Sequence, residues 1–225
     1  MKKVLFVLTS HGQKGDTGQS TGFYVPEAAH PWAALTALGI GVDFVSPQGG
    51  RPPMDGATNP DATSQLFMAS HDFQTKVLHT LTPAAVQPQH YQGILFVGGH
   101  GAMWDFPSNP DLAQVAAQIY EAGGIVAAVC HGPAALVNLK LSQGEYLVSG
   151  KRVAAFTDEE ERAVGLEGVV PFLLASSLTA RGAVHVRAPN WQENVVVDQR
   201  LVTGQNPASA TGVGLQMAAL LQSTL

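Results

Sequence analysis

Short, mostly apolar runs alternate with longer amphipathic stretches over the first two thirds of the chain. Residues 4–8, 42–45, 94–97 and 125–129 are such runs, each followed by turn-forming residues, which is the pattern of strands buried on both faces. Between them, Pro26 suits the first turn of a helix over 26–38 that Gly39 closes, with Pro31 as the point where it kinks or restarts. Asp61 is placed to cap a helix running to about Thr80. Asn109-Pro110-Asp111 opens a helix that ends at Gly123-Gly124, and Gly132-Pro133 starts a further one. The last third changes character. Residues 153–156, 184–186, 195–197 and 201–203 read as short strands, with Asp198-Gln199-Arg200 as a hairpin turn and 207–221 as a closing helix. The alternation predicts an α/β fold: a doubly wound, mostly parallel sheet with helices on both faces. There is no internal repeat, low-complexity tract or linker, so residues 1–225 are expected to form one domain.

Composition narrows the function classes. The 225 residues are 45% hydrophobic, enough for a substantial core and incompatible with a disordered chain. Twelve basic side chains against seventeen acidic ones leave a net charge of -5, which argues against a nucleic-acid partner. The start Met1-Lys2-Lys3 is basic, but the apolar run behind it spans only residues 4–8. A signal-peptide core needs roughly 7–15 apolar residues and a membrane span about 18. With a single cysteine no intrachain disulfide can form. A cytoplasmic chain with no membrane partner is expected.

Ligands of open α/β sheets bind beyond the carboxyl ends of the strands, which directs attention to Ser10, Ser46, Gly98-Gly99-His100-Gly101 and Cys130. Cys130 follows the run 125–129 and precedes His131-Gly132-Pro133. A nucleophile at such a strand-to-helix turn sits in a strained elbow whose neighbours must be small, and Ala128 and Gly132 meet that demand. A helix N-terminus beneath the thiol would lower its pKa and raise the thiolate fraction. The competing reading is a small buried hydrophobe. The glycines at 98–101 would let backbone amides approach a developing oxyanion, with the amides of Gly99 and His131 as candidates and His100 and Gly101 as substrate contacts.

The segment from Ala127 to Ala134 resembles the elbow of the DJ-one/PfpI superfamily. The segments 22–32 (GFYVPEAAHPW), 98–105 (GGHGAMWD) and 203–209 (TGQNPAS) resemble its heat-shock protein thirty-one branch, which includes glutathione-independent glyoxalases. The resemblance implies a flavodoxin-like, class I glutamine amidotransferase-like sheet and often a homodimer. It makes His131 the partner of Cys130 and sets Glu27 against the thiol, sharing a proton with it; helix-start stabilisation is the alternative for Glu27. The segment Phe156-Thr157-Asp158-Glu159-Glu160-Glu161 resembles the source of a third acid. Spacing from Phe156 favours Glu161 over Glu160.

The implied reaction converts small 2-oxoaldehydes such as methylglyoxal to 2-hydroxy acids through a hemithioacetal on Cys130, with no organic cofactor. Peptide or amide hydrolysis is the runner-up. The amidotransferase His-x-Glu is missing, because the late histidine reads His185-Val186-Arg187. A stress-protective chaperone or redox sensor is the non-catalytic alternative. No metal is expected; Glu27, His30 and His100 form the one set weighed as a two-histidine, one-carboxylate site.

Overall fold

Every residue of the strands at Gly93–Phe96 and Ile125–Val129 is buried, and so are the last four of Lys3–Val7. A parallel strand covered on both faces has no polar side, which is why these segments read as unbroken apolar runs. The computed structural model describes residues 2–223; Met1 of the basic start and the last two residues of the expected 1–225 domain lie outside the described residues. Along the chain, β1 (Lys3–Val7) and the short β2 (Phe23–Tyr24) lead into α1 (Val25–Thr36). Next come β3 (Gly41–Val45), β4 (Met54–Asp55) and α2 (Ala62–Ala69). β5 (Gly93–Phe96) is followed by the single turn α3 (Ala102–Asp105) and by α4 (Pro110–Glu121), and then by β6 (Ile125–Val129). The remainder holds β7 (Arg152–Val153), α5 (Asp158–Ala163), α6 (Leu174–Ala180), β8 (Val184–His185), β9 (Val195–Asp198), β10 (Leu201–Gly204) and α7 (Ala210–Ser223).

Six strands form the central sheet in the order β3-β1-β5-β6-β10-β9. Neighbours are parallel except for β9, which returns from β10 as the expected hairpin, Leu201 opposite Asp198. Pro31 is buried inside α1 without ending it, and Gly214 of α7 packs against it: a Cβ there would stand 2.6 Å from Pro31 Cα. No helix among the described residues is long and apolar enough to cross a membrane.

Four expectations need correction. Asp61 does cap α2, accepting from the Ser64 amide, but the helix stops at Ala69 rather than near Thr80. Ser70 turns extended there. Its hydroxyl donates to Phe67 O at 2.6 Å and accepts from Phe73 N at 3.1 Å, a local alternative to the helical ladder; a π-helical turn at Phe73–Val77 follows. The segment after Cys130 is a five-residue 3-10 turn, Gly132–Leu136, not an α-helix. The segments near 153–156 and 184–186 shrink to the two-residue pair β7–β8, outside the main sheet. Ala154 N bonds to Thr203 Oγ1 and Phe156 N to Cys130 O instead of to a strand ladder. Sequence patterning also gave no sign of the pair β2–β4, which places Tyr24 and Asp55 side by side.

Candidate active site

Cys130 leaves β6 with φ +60, a left-handed conformation that is rare outside glycine and costs about 1–3 kcal/mol. Flanking backbone bonds hold it: Cys130 N donates to Gly204 O at 2.9 Å, and Cys130 O accepts from Phe156 N at 3.0 Å. The elbow also needs Gly132, because a Cβ there would lie 2.1 Å from Phe96 O. Adjacent strand residues point to opposite faces, yet the bend brings His131 Nδ1 to 3.4 Å from the Cys130 sulfur. His131 Nε2 lies 2.7 Å from Glu161 Oε2, and His100 Nε2 lies 2.8 Å from Glu161 Oε1. One carboxylate therefore bridges two imidazoles, whose rings stand 4.0 Å apart, and Phe156 packs 4.3 Å from the His131 ring.

The charges follow from these contacts. Burial opposes ionisation of Glu161, but the hydrogen bonds from His100 and His131 outweigh it and hold the carboxyl at about 2. Burial and the neighbouring His100 push His131 down to about 4, against the pull of Glu161, so the imidazole is neutral at pH 7. An ionised Glu161 accepts a hydrogen bond from Nε2–H of His131, which leaves the Nδ1 lone pair facing the sulfur.

Glu27 sits in the first turn of α1, where Pro26 starts the helix, and is fully buried. Burial pushes its carboxyl up to about 8, outweighing the pull of the Cys130 thiol and the Gly98 amide beside it. Neither carboxyl oxygen makes a hydrogen bond of ordinary geometry, which further disfavours the anion. The thiol is likewise raised well above its ordinary value, by burial and by the Glu27 charge. This overturns the expected depressed thiol pKa. A 3-10 turn supplies no aligned helix dipole; only the amides of His131 and Gly99 pull the other way. Burial instead favours the protonated form of both Glu27 and Cys130.

Gly98 makes the room for that pair. A Cβ there would lie 2.1 Å from Glu27 Oε2 and 2.8 Å from Cys130 Cβ. Gly98→Ala should therefore destabilise the fold by about 1–3 kcal/mol through overpacking and cut turnover at least about tenfold. Thermal melts and steady-state rates check this, and unchanged values for both would show that the carboxyl does not pack there.

Cys130, Gly99, His100 and His131 open onto a hollow of about 390 Å³, which Tyr24, Asp55, Phe156 and Trp191 also line. Gly99 and His100 thus stand where the sequence placed them. Gly101 does not: it turns toward the loop after β1, where a Cβ would meet His11 O at 2.4 Å. Ser10 and Ser46 are occupied elsewhere, with Gln48 N and Thr80 Oγ1. Of the two acids, Glu160 closes a capping box with Thr157 and does not reach His131. The set of Glu27, His30 and His100 is not assembled, since His30 pairs with Thr211 and Asp61. Among the described residues, His100, His131 and Glu161 form one group whose ligand atoms lie within 4.8 Å of one another. In that group each Nε2 already faces a carboxylate oxygen. Sequence reasoning missed Tyr24, Asp55 and Trp191 as pocket walls; Tyr24 alone had a local signal, standing three residues before Glu27 in a quoted segment.

The DJ-1/PfpI family model matches residues 20–220. The glutathione-independent glyoxalase HSP31 of Saccharomyces cerevisiae is 34% identical over 225 residues, 93% of each chain. Among solved structures, the Rapid Encystment Protein 24 KDa of Francisella tularensis superposes with a TM-score of 0.94 at 37% identity, covering 98% of this chain and 99% of that one. Glyoxalase III of Candida albicans superposes with a TM-score of 0.88 at 30% identity, covering 97% and 96%. With the elbow cysteine and its neighbouring histidine at the end of β6, the buried glutamate in the first turn of α1 and a family match over residues 20–220, the chain belongs to the DJ-1/PfpI family.

Proposed function

We propose that the protein converts small 2-oxoaldehydes such as methylglyoxal to 2-hydroxy acids without glutathione, using Cys130 as the nucleophile. The observation that carries this reading is the fully buried Glu27 carboxyl beside Cys130, where burial favours its acid form, with His131 Nδ1 3.4 Å from the same sulfur. Relatives named as glutathione-independent glyoxalases over nearly the whole chain support it.

The chemistry balances on these groups. His131 Nδ1 takes the thiol proton as the sulfur bonds to the aldehyde carbon. The aldehyde oxygen, facing the amides of Gly99 and His131, takes a proton from Glu27 and becomes the hemithioacetal hydroxyl. The Glu27 carboxylate so formed removes the hydrogen of that carbon while the ketone oxygen takes the proton held on His131, giving an enediol. Glu27 returns its proton to the neighbouring carbon and takes the hydroxyl proton of the first carbon as the carbonyl forms, so that His131 ends neutral and Glu27 protonated. The first carbon is thereby oxidised to a thioester and the second reduced to an alcohol. Water then cleaves the thioester, releasing the 2-hydroxy acid and restoring the thiol. Oxidation and reduction occur within one substrate, so no redox cofactor takes part. Glu161 keeps His131 in the required tautomer. The cytoplasm, where thiols stay reduced, is the compartment this chemistry suits.

Purified protein given methylglyoxal in buffer without added thiol should form lactate; release of ammonia from amides or cleavage of peptides in its place would contradict the reading. The pH dependence has a definite sign. His131 must be neutral to take the thiol proton, so kcat/KM should fall as pH drops through about 4. Glu27 must be protonated to donate, so kcat/KM should fall as pH rises through about 8. A rate that climbs steadily through pH 8, as for a simple thiolate, would refute the assignment of Glu27.

A further inference from the structure

Trp191 and Glu160 have no role in the chemistry above, and the structure ties them together. Trp191 lines the hollow, its indole 5.8 Å from the Phe156 ring that packs on His131. Its backbone sits at φ +66, a conformation that a bulky residue adopts only where its surroundings impose it. Here a buried polar knot imposes it. Glu160, fully buried, accepts on Oε1 from the Trp191 amide at 2.9 Å and from the side-chain amides of Gln205 at 3.1 Å and Asn206 at 2.9 Å. On Oε2 it accepts from the Thr157 amide at 3.0 Å. Gln205 Oε1 accepts from Ala188 N and from Asn194 Nδ2, while Asn206 Nδ2 also donates to Gln192 O. Residues 188–194 are thus fastened along their length to the carboxylate next in sequence to Glu161. This also gives the segment around Gln205-Asn206 a physical task.

We propose that Trp191 is a specificity residue, offering a flat apolar face to the substituent on the ketone carbon of the 2-oxoaldehyde, and that Glu160 is the positioning residue that holds this face in place. The inference rests on the 2-oxoaldehyde reading. The contacts run from the sulfur to His131, from His131 to Phe156 and from Phe156 to Trp191, and on this proposal a methyl group on the bound substrate falls short of the indole. An aryl group spans the gap and stacks there. The preferred class is therefore aromatic 2-oxoaldehydes, with methylglyoxal a smaller substrate that uses only the inner part of the hollow.

The test compares phenylglyoxal with methylglyoxal. Trp191→Ala should lower kcat/KM for phenylglyoxal at least about tenfold and for methylglyoxal no more than about twofold. Equal losses on both substrates, or none on either, would overturn the role. Trp191→Gly should melt no lower than Trp191→Ala, because glycine is at ease at this φ; a clearly lower melt would overturn the imposed backbone. Glu160→Gln should shift the substrate ratio in the same direction as Trp191→Ala. If that variant does not fold, Asn206→Ala, which removes one of the donors to Glu160, should shift the ratio by a smaller factor, and an unshifted ratio would refute the positioning role. Calorimetric binding separates this inference from the chemistry. Without turnover, 2-hydroxyacetophenone should bind Cys130→Ser protein at least about tenfold tighter than hydroxyacetone, and Trp191→Ala should erase the difference. That binding result beside a wild type inactive on both aldehydes would sink the glyoxalase reading and leave the aromatic wall standing. Turnover with an undiminished aryl preference in Trp191→Ala would sink the wall alone.

Discussion

Cys130→Ser should reduce lactate formation from methylglyoxal by at least about a thousandfold while leaving the melting temperature nearly unchanged. The fold should be indifferent. Oxygen is smaller than sulfur, and the elbow is held by backbone bonds to Gly204 and Phe156, neither of which involves the side chain. The chemistry should not be indifferent. His131, held near 4, is a weak base, strong enough to accept a proton from a thiol as its sulfur bonds to an aldehyde but poorly matched to a serine hydroxyl. Residual turnover within tenfold of wild type would place the reaction on another group.

Glu27→Gln should act in opposite directions on rate and on stability. Turnover should fall by about 10²–10⁴, the usual worth of a positioned proton carrier, because an amide can neither give nor take the proton. Stability at neutral pH should rise. The Glu27 carboxyl titrates near 4.5 in the unfolded chain and at about 8 in the folded one, so between those values the native state binds the extra proton. Its contribution is fully favourable below pH 4.5 and is lost as pH rises through about 8. At pH 7 the wild type therefore carries a penalty on the order of 3 kcal/mol for keeping this group buried. Glutamine escapes the titration, although its amide donors find few partners beside the sulfur, so a net gain of about 1–3 kcal/mol is expected, several degrees in Tm. The gain should shrink below pH 5. A variant less stable than wild type at pH 7 would show that the carboxylate, not the acid, is the stable buried form. The opposition is physical: the arrangement that makes Glu27 a proton donor is the one that costs the fold.

Much of the sheet was legible because β1, β5 and β6 are covered on both faces, and burial on two sides leaves an apolar run that local sequence cannot disguise. The elbow was legible for the same reason joined to sterics: a Cβ at position 132 would run into Phe96 O, so only a glycine fits after the nucleophile and its neighbour. The expected depressed thiol pKa failed because it rested on an α-helix that Gly132–Leu136 does not form, and because burial is a three-dimensional quantity. The choice between Glu160 and Glu161 had a local signal. Thr157 and Glu160 stand at capping-box spacing, which commits Glu160 to the helix start and leaves Glu161 for His131. The break at Ser70 had only a weak local signal, a serine with no turn partner beside it. Trp191 had none, since its place depends on Glu160, Gln205 and Asn206 meeting from distant parts of the chain.

The shared claim beneath these results is that Glu27 remains an acid at neutral pH, lying against the sulfur that attacks the substrate. Infrared difference spectra between wild type and Glu27→Gln over a pH series observe this group directly. A protonated-carboxyl C=O band is expected at pH 7, disappearing with a midpoint near 8 and missing from the variant. A carboxylate band for Glu27 already present at pH 6 would contradict it.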